Sequence, residues 1–221
     1  MVAIDGPSGS GKSSASRGVA SSLGLSYLDT GAMYRALTWW LMAAGIDTAD
    51  EQQVAAHAAG PAIEVCTDPD DPWTRVNGTD VSRDIRSEAV SAKVSAVARV
   101  RAVRDHLIAA QRAIIASASA GIVAEGRDIG TVVAPDAQLK VFLTADPQAR
   151  ARRRAAERGT AVDATEAAQA RRDRLDAAQS QMAADAVLID ATELTLDEVI
   201  DEIGRLAREH SELACTGDKS S

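Results

Sequence analysis

The stretch from residue 6 to residue 13 reads Gly6-Pro7-Ser8-Gly9-Ser10-Gly11-Lys12-Ser13, a full match to the phosphate-binding pattern G-x-x-x-x-G-K-[S/T]. The preceding run Val2–Ile4 is short and apolar, like a buried strand, and a helical pattern follows from Lys12 to Leu23. Between a strand and a helix, the glycines let successive main-chain N–H groups point at phosphate oxygens. The stretch therefore predicts a nucleotide-binding loop on an α/β fold.

The chemistry expected of this loop is that of ATP and Mg²⁺. Lys12 should reach the β- and γ-phosphates, and the hydroxyl of Ser13 should bind Mg²⁺, the one expected cofactor. A flexible Gly/Ser turn that matches by chance is the alternative, and the flanking strand and helix argue against it. The loop by itself does not separate a kinase from a GTPase or a motor. The predicted ATP-binding residues are Gly6, Pro7, Ser8, Gly9, Ser10, Gly11, Lys12, Ser13 and Ser14.

Short apolar runs alternate with helical patterns along the rest of the chain. Such runs are typical of strands covered on both faces, and the alternation implies crossover connections and a parallel sheet. The predicted strands are Val2–Ile4, Ile122–Ala124, Leu139–Leu143 and Val187–Ile189. The predicted helices are Lys12–Leu23, Ala32–Ala44, about 87–117, Pro147–Arg158, and a last one that begins with a capping box at Thr195 and Glu198 and runs to about His210.

One segment, Pro61–Arg86, breaks this alternation with three prolines, an Asp-rich turn and an Asn77-Gly78 hairpin signal. We interpret it as a small antiparallel β insertion. The predicted bounds are a kinase core over 1–60 and 87–213, a nucleotide-binding insertion over 61–86, a lid over 150–161, and a disordered tail over 214–221.

Composition excludes several classes of protein. The 221 residues carry a net charge of −8, which argues against sequence-independent binding of duplex nucleic acid. The two cysteines, Cys66 and Cys215, form no C-x-x-C pair, and no apolar run approaches membrane-spanning length. We expect a cytoplasmic monomer without nucleic-acid or membrane partners.

Arginines in two segments could bind an anionic acceptor opposite the loop. In Leu28-Asp29-Thr30-Gly31-Ala32-Met33-Tyr34-Arg35, the arginine lies on the first turns of a helix. In Glu125-Gly126-Arg127-Asp128-Ile129-Gly130-Thr131, an Arg-Asp pair follows a strand, where open parallel sheets bind ligands. The alternatives are a surface arginine and an exposed ion pair, and the strand end favours function for the second segment.

Two further arginine-rich segments follow. The cluster Arg150, Arg152, Arg153, Arg154 and Arg158 precedes a glycine, as expected of a mobile lid over ATP. A solvated basic face is the usual alternative for such a run. In Arg171-Arg172-Asp173-Arg174-Leu175-Asp176, the pair Arg172 and Asp176 is either a helix-stabilising ion pair or a clamp on ribose hydroxyls.

Taken together, these motifs resemble those of bacterial cytidylate kinases over nearly the whole chain. The resemblance lies in IDGPSGSGKS, LDTGAMYR, the NG-containing insertion, Val103-Arg104, EGRDIGTVV, RARRR and RRDRLD. It implies a P-loop three-layer fold with a parallel sheet, of the nucleoside monophosphate kinase type. It also implies transfer of the γ-phosphoryl group of ATP to CMP or dCMP, with ATP and CMP or dCMP as the small-molecule partners.

Roles carried over from this resemblance fall on matching positions. Arg35 and Arg127 would bind the acceptor phosphate, Ser95, Arg104 and Asp128 would bind cytosine, Arg172 and Asp176 would bind the sugar, and Thr30 would line the site. Arg153 would join the ATP-binding residues. The residues expected to act in catalysis are Lys12, Arg127, Asp128 and Arg154.

Two features test the resemblance. Ser95 and Arg104 are nine residues apart and would lie on opposite faces of a straight helix, so we predict a break near Ala98–Arg101. Gln179 stands where relatives usually carry another phosphate-binding arginine, and an amide does not replace that charge. Either a neighbouring arginine (Arg171 or Arg174) compensates, or acceptor binding is weaker.

Other functions stay open at this point. The nearest is a kinase of UMP, dTMP or shikimate on the same scaffold, against which a base reader formed by Arg104 and Asp128 argues. A P-loop ATPase or switch without an acceptor belongs to a different class. In that case ATP turnover would not depend on added CMP.

Overall fold

The computed structural model describes residues 1–158 and 162–217 of the chain. Within them the strands are β1 (Val2–Asp5), β2 (Ser26–Asp29), β3 (Ile63–Val65), β4 (Thr74–Val76), β5 (Thr79–Asp80), β6 (Ile122–Gly126), β7 (Leu139–Thr144) and β8 (Val187–Asp190). The α-helices are α1 (Lys12–Leu23), α2 (Thr30–Ala43), α3 (Glu51–Ala56), α4 (Glu88–Val97), α5 (Arg101–Ser117), α6 (Pro147–Arg158), α7 (Val162–Asp176) and α8 (Leu196–Gly217). Short 3₁₀ turns cover Asp84–Arg86 and Ala177–Gln179, and a π-helical turn covers Ile129–Val133.

Two compact units make up the chain. The first consists of Met1–Tyr27 with Ala120–Ser221, and the second of Leu28–Ser119. The large sheet has the strand order β2-β6-β1-β7-β8, with β1 paired in parallel to both β6 and β7. This order confirms the predicted α/β P-loop fold with a parallel sheet. It also places the ends of β1 and β6, which lead into the two most informative motifs, side by side.

The core of the first unit lies between the sheet and two helices. Val19 of α1 and Ile203 of α8 are completely buried against Ile4 and Leu143 of the sheet. Burying a side chain of this size stabilises the fold by roughly 1.5–3 kcal/mol. Because α1 is packed in this way, its amino-terminal turn and the loop before it are held at the carboxyl end of β1.

The second unit carries the predicted insertion. Strands β3, β4 and β5 form an antiparallel sheet, which confirms the small β insertion. Asn77 and Gly78 connect β4 to β5 with φ values of 50° and 79°, the left-handed pair that a tight hairpin requires. The sheet packs its buried Val76 against Ala36 of α2.

The predicted break in the long helix is confirmed. Helix α4 ends at Val97 and α5 begins at Arg101, with Val100 in an extended conformation (φ −68°, ψ 122°) between them. Ser95 and Arg104 therefore lie on different helices, and the straight-helix geometry that would separate them by half a turn does not apply.

Other predictions differ from the structure or stay open. Strand β2 and helix α3 were not predicted, because they are only four and six residues long and carry too little pattern. The capping box of α8 is confirmed by the Thr195 hydroxyl and amide, which each donate to Glu198 at 2.8 Å, but the helix runs to Gly217 rather than to His210. The predicted domain bounds stay predictions; of the predicted tail, residues 218–221 lie outside the described residues.

Candidate active site

The phosphate-binding loop adopts the conformation that its glycines permit. Gly9 and Gly11 have φ values of 79° and 91°, in the left-handed region that residues with a Cβ rarely occupy. A Cβ on Gly6 would lie 2.0 Å from the carbonyl oxygen of Leu143, so the loop starts in close contact with β7. Helix α1 begins at Lys12 without a side-chain cap, and its first amides face an anion-binding position.

The side chains of the loop differ in their contacts and exposure. The ammonium group of Lys12 donates to the carbonyl oxygen of Pro7 at 2.7 Å, which folds the lysine back over the loop. The hydroxyl of Ser10 is buried and has no hydrogen-bond partner among the described residues. Ser13 is half-buried and Ser14 is exposed at the start of α1.

A carboxylate on α7 connects this loop to two arginines. Asp173 pairs with Arg150 at 2.5 Å and lies 3.8 Å from Arg127, and it accepts a hydrogen bond from the Ser8 amide at 3.4 Å. Arg150 is buried and also donates to the carbonyl oxygen of Ser8 at 3.0 Å. The predicted lid arginine therefore contacts the loop itself, through both a main-chain oxygen and Asp173.

Two of the predicted acceptor-binding residues form an ion pair. The guanidinium of Arg127 lies 2.9 Å from the carboxylate of Asp176, with side-chain exposures of 20% and 10%. Asp173 and Asp176 are three residues apart on α7 and share one face of the helix. Arg127 therefore forms ion pairs with both carboxylates of the RRDRLD segment, Asp173 and Asp176.

The residue after Arg127 opens the π-helical turn. Asp128 is buried and has the φ and ψ values −145° and 28°, after which the chain coils through Ile129–Val133. Asp5 holds this turn in place. Its two carboxylate oxygens accept hydrogen bonds from the main-chain amides of Ile129 and Gly130, each at 2.8 Å. Burial raises the pKa of Asp5 and outweighs the two amide hydrogen bonds, which lower it; the nearby Asp128 also raises this pKa, and Lys12 lowers it.

The remaining lid arginines divide between several environments. Arg153 donates to the carbonyl oxygens of Ala191 at 2.6 Å and Leu194 at 3.2 Å, in the loop between β8 and α8. Arg152 is exposed. Of the predicted lid, residues 159–161 lie outside the described residues. The same holds for the side chains of Arg154 and Arg158 on α6 and of Arg172 on α7, so the roles predicted for Arg154 and Arg172 stay predictions.

In the second unit, the predicted residues lie on α2, α4 and α5. Arg35 is buried, and one of its terminal nitrogens donates to the carbonyl oxygen of Ile85 at 3.0 Å and to the Ser91 hydroxyl at 2.9 Å. Ser95 is buried, and its hydroxyl has no hydrogen-bond partner within the described part of the chain. Thr30 is buried at the start of α2, and Arg104 is half-buried on α5.

Several residues of the site were missed from the sequence. Asp5, Asp173 and Ser91 each contact a predicted residue or its neighbouring main chain, but none was predicted as a site residue. A signal existed for Asp173, because it lies three residues before Asp176 on a helical segment. For Asp5, the only sign was a carboxylate at the end of an otherwise apolar strand.

The sequence model of cytidylate kinases matches residues 2–209. The chain belongs to the cytidylate kinase family. It is 53% identical to the cytidylate kinase of Streptomyces griseus over 91% of this chain and 89% of that protein. It is 47% identical to the cytidylate kinase of Mycolicibacterium paratuberculosis, with 97% of both chains covered.

A solved structure agrees with the fold of this cytidylate kinase family member. The crystal structure of an uncharacterized protein from Eubacterium ventriosum matches 94% of this chain and 97% of that chain, with a TM-score of 0.51 and 10% sequence identity. At that identity the likeness concerns the fold alone.

No helix within residues 1–158 and 162–217 has both the length and the apolar character to span a bilayer.

Proposed function

We propose that the protein is a (d)CMP kinase, which transfers the γ-phosphoryl group of ATP to CMP or dCMP and releases ADP with CDP or dCDP. Membership of the cytidylate kinase family supports this reaction. The structural observation that carries it is the network around Asp173. It joins the phosphate-binding loop, through Ser8, to Arg127, the arginine expected on the acceptor phosphate.

The ATP side of the proposal uses the loop and α1. Main-chain amides from Gly9 to Ser13 would bind the β-phosphate, and Lys12 would leave the Pro7 carbonyl to bind the transferred phosphoryl group. Ser14 would add a hydroxyl at the helix start. Arg153 lies against the β8–α8 loop and would support the nucleotide from there, while Arg154 would add positive charge in catalysis.

The residues present fit a Mg²⁺ ion that arrives with the nucleotide. Within residues 1–158 and 162–217 no group of three or more His, Cys, Asp or Glu side chains could hold a metal ion. Ser13 offers one hard oxygen ligand at the loop, and Mg²⁺ usually takes few protein ligands and completes its shell with water and phosphate oxygens. When bound, Mg²⁺ neutralises the charge that develops on the phosphate oxygens.

The acceptor side of the first unit centres on Arg127, Asp128 and Asp176. Arginine has five N–H donors, so its pairing with Asp173 and Asp176 leaves donors for a phosphate. Asp176 would also accept from a sugar hydroxyl, together with Arg172. Asp128 is buried, and its carboxylate would accept the N4 amino group of cytosine.

The second unit would contribute Thr30, Arg35, Ser95 and Arg104 to acceptor binding. The contacts of Arg35 with Ile85 and Ser91 hold its guanidinium in one orientation, which favours binding of a phosphate. The buried hydroxyl of Ser95, without a partner among the described residues, favours a hydrogen bond to the ligand. Arg104 would donate to the N3 and O2 acceptors of cytosine.

Catalysis in this proposal depends on positioning and charge rather than on a strong base. The loop and Lys12 would hold the donor phosphate, and Arg127 would hold the acceptor phosphate in line with it. A nearby carboxylate would be sufficient to receive the proton. The protein is further proposed to act as a monomer in the cytoplasm, without nucleic-acid or membrane partners.

The experiment that tests the reaction is a coupled ADP-release assay with ATP and each of CMP, dCMP, UMP, AMP, dTMP and shikimate, and with no acceptor. We expect turnover that depends on CMP or dCMP and is small without an acceptor. ATP turnover that is independent of CMP would support the ATPase alternative instead. A greater efficiency with UMP, dTMP or shikimate would support a kinase of that acceptor.

Replacement of Asp128, the carboxylate proposed to bind the cytosine base, should weaken the preference for CMP over UMP. Wild type should prefer CMP to UMP, because uracil presents an acceptor where Asp128 needs a donor. Asp128→Asn can donate to that acceptor, so we expect the ratio of kcat/KM for CMP over UMP to fall by about 10–100-fold. Asp136→Asn is the matched control, since Asp136 is exposed a few residues further along. An unchanged ratio in Asp128→Asn would contradict the assignment.

A separate prediction concerns Gln179, which is half-buried in the 3₁₀ turn after α7. We expect Gln179→Arg to lower the KM for CMP by about tenfold, because a charge-assisted hydrogen bond to phosphate replaces a neutral one. Gln181→Arg, at an exposed neighbouring position, controls for added charge. A KM that does not change would show that another arginine, such as Arg171 or Arg174, already supplies the contact.

A further inference from the structure

Asp5 is a buried carboxylate that the proposed reaction does not yet use. It is the last residue of β1 and the one before the first glycine of the phosphate-binding loop. Only 5% of its surface is exposed. A buried carboxylate is costly unless hydrogen bonds or opposite charges compensate, and an apolar residue would complete a buried strand at lower cost. The presence of a carboxylate here therefore calls for a specific partner.

The partners of Asp5 are two consecutive main-chain amides far away in the chain. Oδ1 accepts the amide of Ile129 and Oδ2 the amide of Gly130, both at 2.8 Å and across 124 and 125 residues. These amides belong to the first residues of the π-helical turn that directly follows Arg127 and Asp128. Both carboxylate oxygens of Asp5 therefore bind this one turn and fix its position and orientation.

Packing around the turn leaves it little room to move. A Cβ on Gly130 would lie 3.2 Å from Cδ of Lys140 and 3.4 Å from Oδ2 of Asp5, so this part of the turn is enclosed from two sides. On the other side of Asp5, Gly6 lies against the main chain of β7. Asp5 therefore connects two rigidly held segments: the start of the phosphate-binding loop and the turn that carries Arg127 and Asp128.

Electrostatics agree with this geometry. Burial raises the pKa of Asp5, the two amides lower it, and Asp128 and Lys12 contribute charges of opposite effect. Asp128 affects the pKa of Asp5 more than Lys12 does, which agrees with a role of Asp5 on the acceptor side.

We propose that Asp5 is a positioning residue for the acceptor: its two hydrogen bonds hold the turn after Asp128, and thereby hold Arg127 and Asp128 in place relative to the phosphate-binding loop. This inference rests on the proposed function, since it assigns Arg127 to the phosphate and Asp128 to the base of the acceptor. Asp5 itself does not touch the reacting atoms. Its effect should therefore appear in acceptor binding and base discrimination, and not in ATP binding.

The test uses Asp5→Asn in the full chain. Asparagine keeps one acceptor oxygen and presents its NH₂ group to the second amide, so one of the two hydrogen bonds is lost without a change in size. We expect the KM for CMP to rise by about tenfold. The ratio of kcat/KM for CMP over UMP should fall by a similar factor, while the dissociation constant for ATP changes by less than about twofold. Measurements are made well below the melting temperature of the variant.

Asp50→Asn is the matched control. Asp50 also accepts two main-chain amides, those of Gln52 and Gln53 at 3.0 and 3.1 Å, but on the exposed start of α3. It should leave the acceptor KM and the base preference unchanged. If Asp5→Asn does not give folded protein, Asp5→Ser, which keeps one hydroxyl acceptor, takes its place in the same assays.

The outcomes separate the two proposals. Wild type that does not phosphorylate CMP contradicts the proposed function, and this inference falls with it. Wild type that is active, with a variant whose CMP and UMP parameters are unchanged, overturns the inference alone. A variant that loses ATP binding and activity with every acceptor in equal proportion also overturns it, because that result indicates a purely structural role. The inference is supported if the variant has a higher KM for CMP and a lower preference for CMP over UMP, while its dissociation constant for ATP is nearly unchanged.

Discussion

Lys12→Met should lower kcat by about 10²–10³-fold while the protein stays folded, the loss expected when one preorganised donor to a developing charge is removed. Lys12 opens α1, and its ammonium group donates to the Pro7 carbonyl of its own loop. Methionine matches the length and the apolar part of the side chain but carries no charge. The KM for CMP should change much less than kcat, since Lys12 is proposed to act on the transferred phosphoryl group.

The control for this variant is Lys93→Met. Lys93 is exposed on α4, so the same chemical change there should leave the steady-state parameters unchanged. Thermal unfolding followed by circular dichroism checks that Lys12→Met is folded. A Lys12→Met enzyme with near wild-type kcat would contradict the assignment of Lys12 to the transferred phosphate.

The second large effect is expected for Arg127→Ala, in both activity and stability. We expect kcat/KM for CMP to fall by about 10²–10³-fold, because the variant lacks the forked donor proposed for the acceptor phosphate. The free energy of unfolding should fall by about 3 kcal/mol, since Asp176 is left as a largely buried carboxylate without its guanidinium partner. Urea denaturation measures the second effect and ADP release the first.

Two further variants separate these contributions. Arg127→Lys keeps the positive charge but lacks the planar guanidinium that binds a phosphate through two N–H groups. It should therefore recover most of the stability and little of the activity. Arg101→Ala removes an arginine from an ion pair with Asp105 whose side chains are 86% and 58% exposed, and it should change neither measurement noticeably. Arg127→Ala with unchanged acceptor kinetics would contradict the proposed role, whatever its stability.

The elements that were predicted correctly are those whose signal is local. The phosphate-binding loop, the capping box of α8 and the Asn77-Gly78 hairpin depend on residues within a few positions of one another. The break between α4 and α5 came from a different kind of reasoning, since it followed from two roles that the family resemblance assigns to Ser95 and Arg104. The break itself is confirmed, while those two roles remain proposals.

The site shows where prediction from the sequence stops. Arg127 and Asp176 were both predicted for acceptor binding, but their ion pair was not, because it joins a strand end to a distant helix. Arg150 was predicted as part of a mobile lid, yet it is buried against the Ser8 carbonyl and Asp173. A basic helical run does not reveal which of its arginines face solvent and which face the loop.

Local sequence was thus enough to specify the loop at Gly6–Ser13, the alternation of buried strands with helices, and hence an α/β nucleotide-binding fold. These features follow from backbone conformations and side-chain patterns over a few residues. The partners of Asp5 and Asp173 follow only from the strand order, which places β1 between β6 and β7 and so brings the ends of distant segments together. Hydrogen bonds that span 124 residues, like that from Ile129 to Asp5, exist because the folded sheet aligns those ends, and no local pattern encodes that alignment.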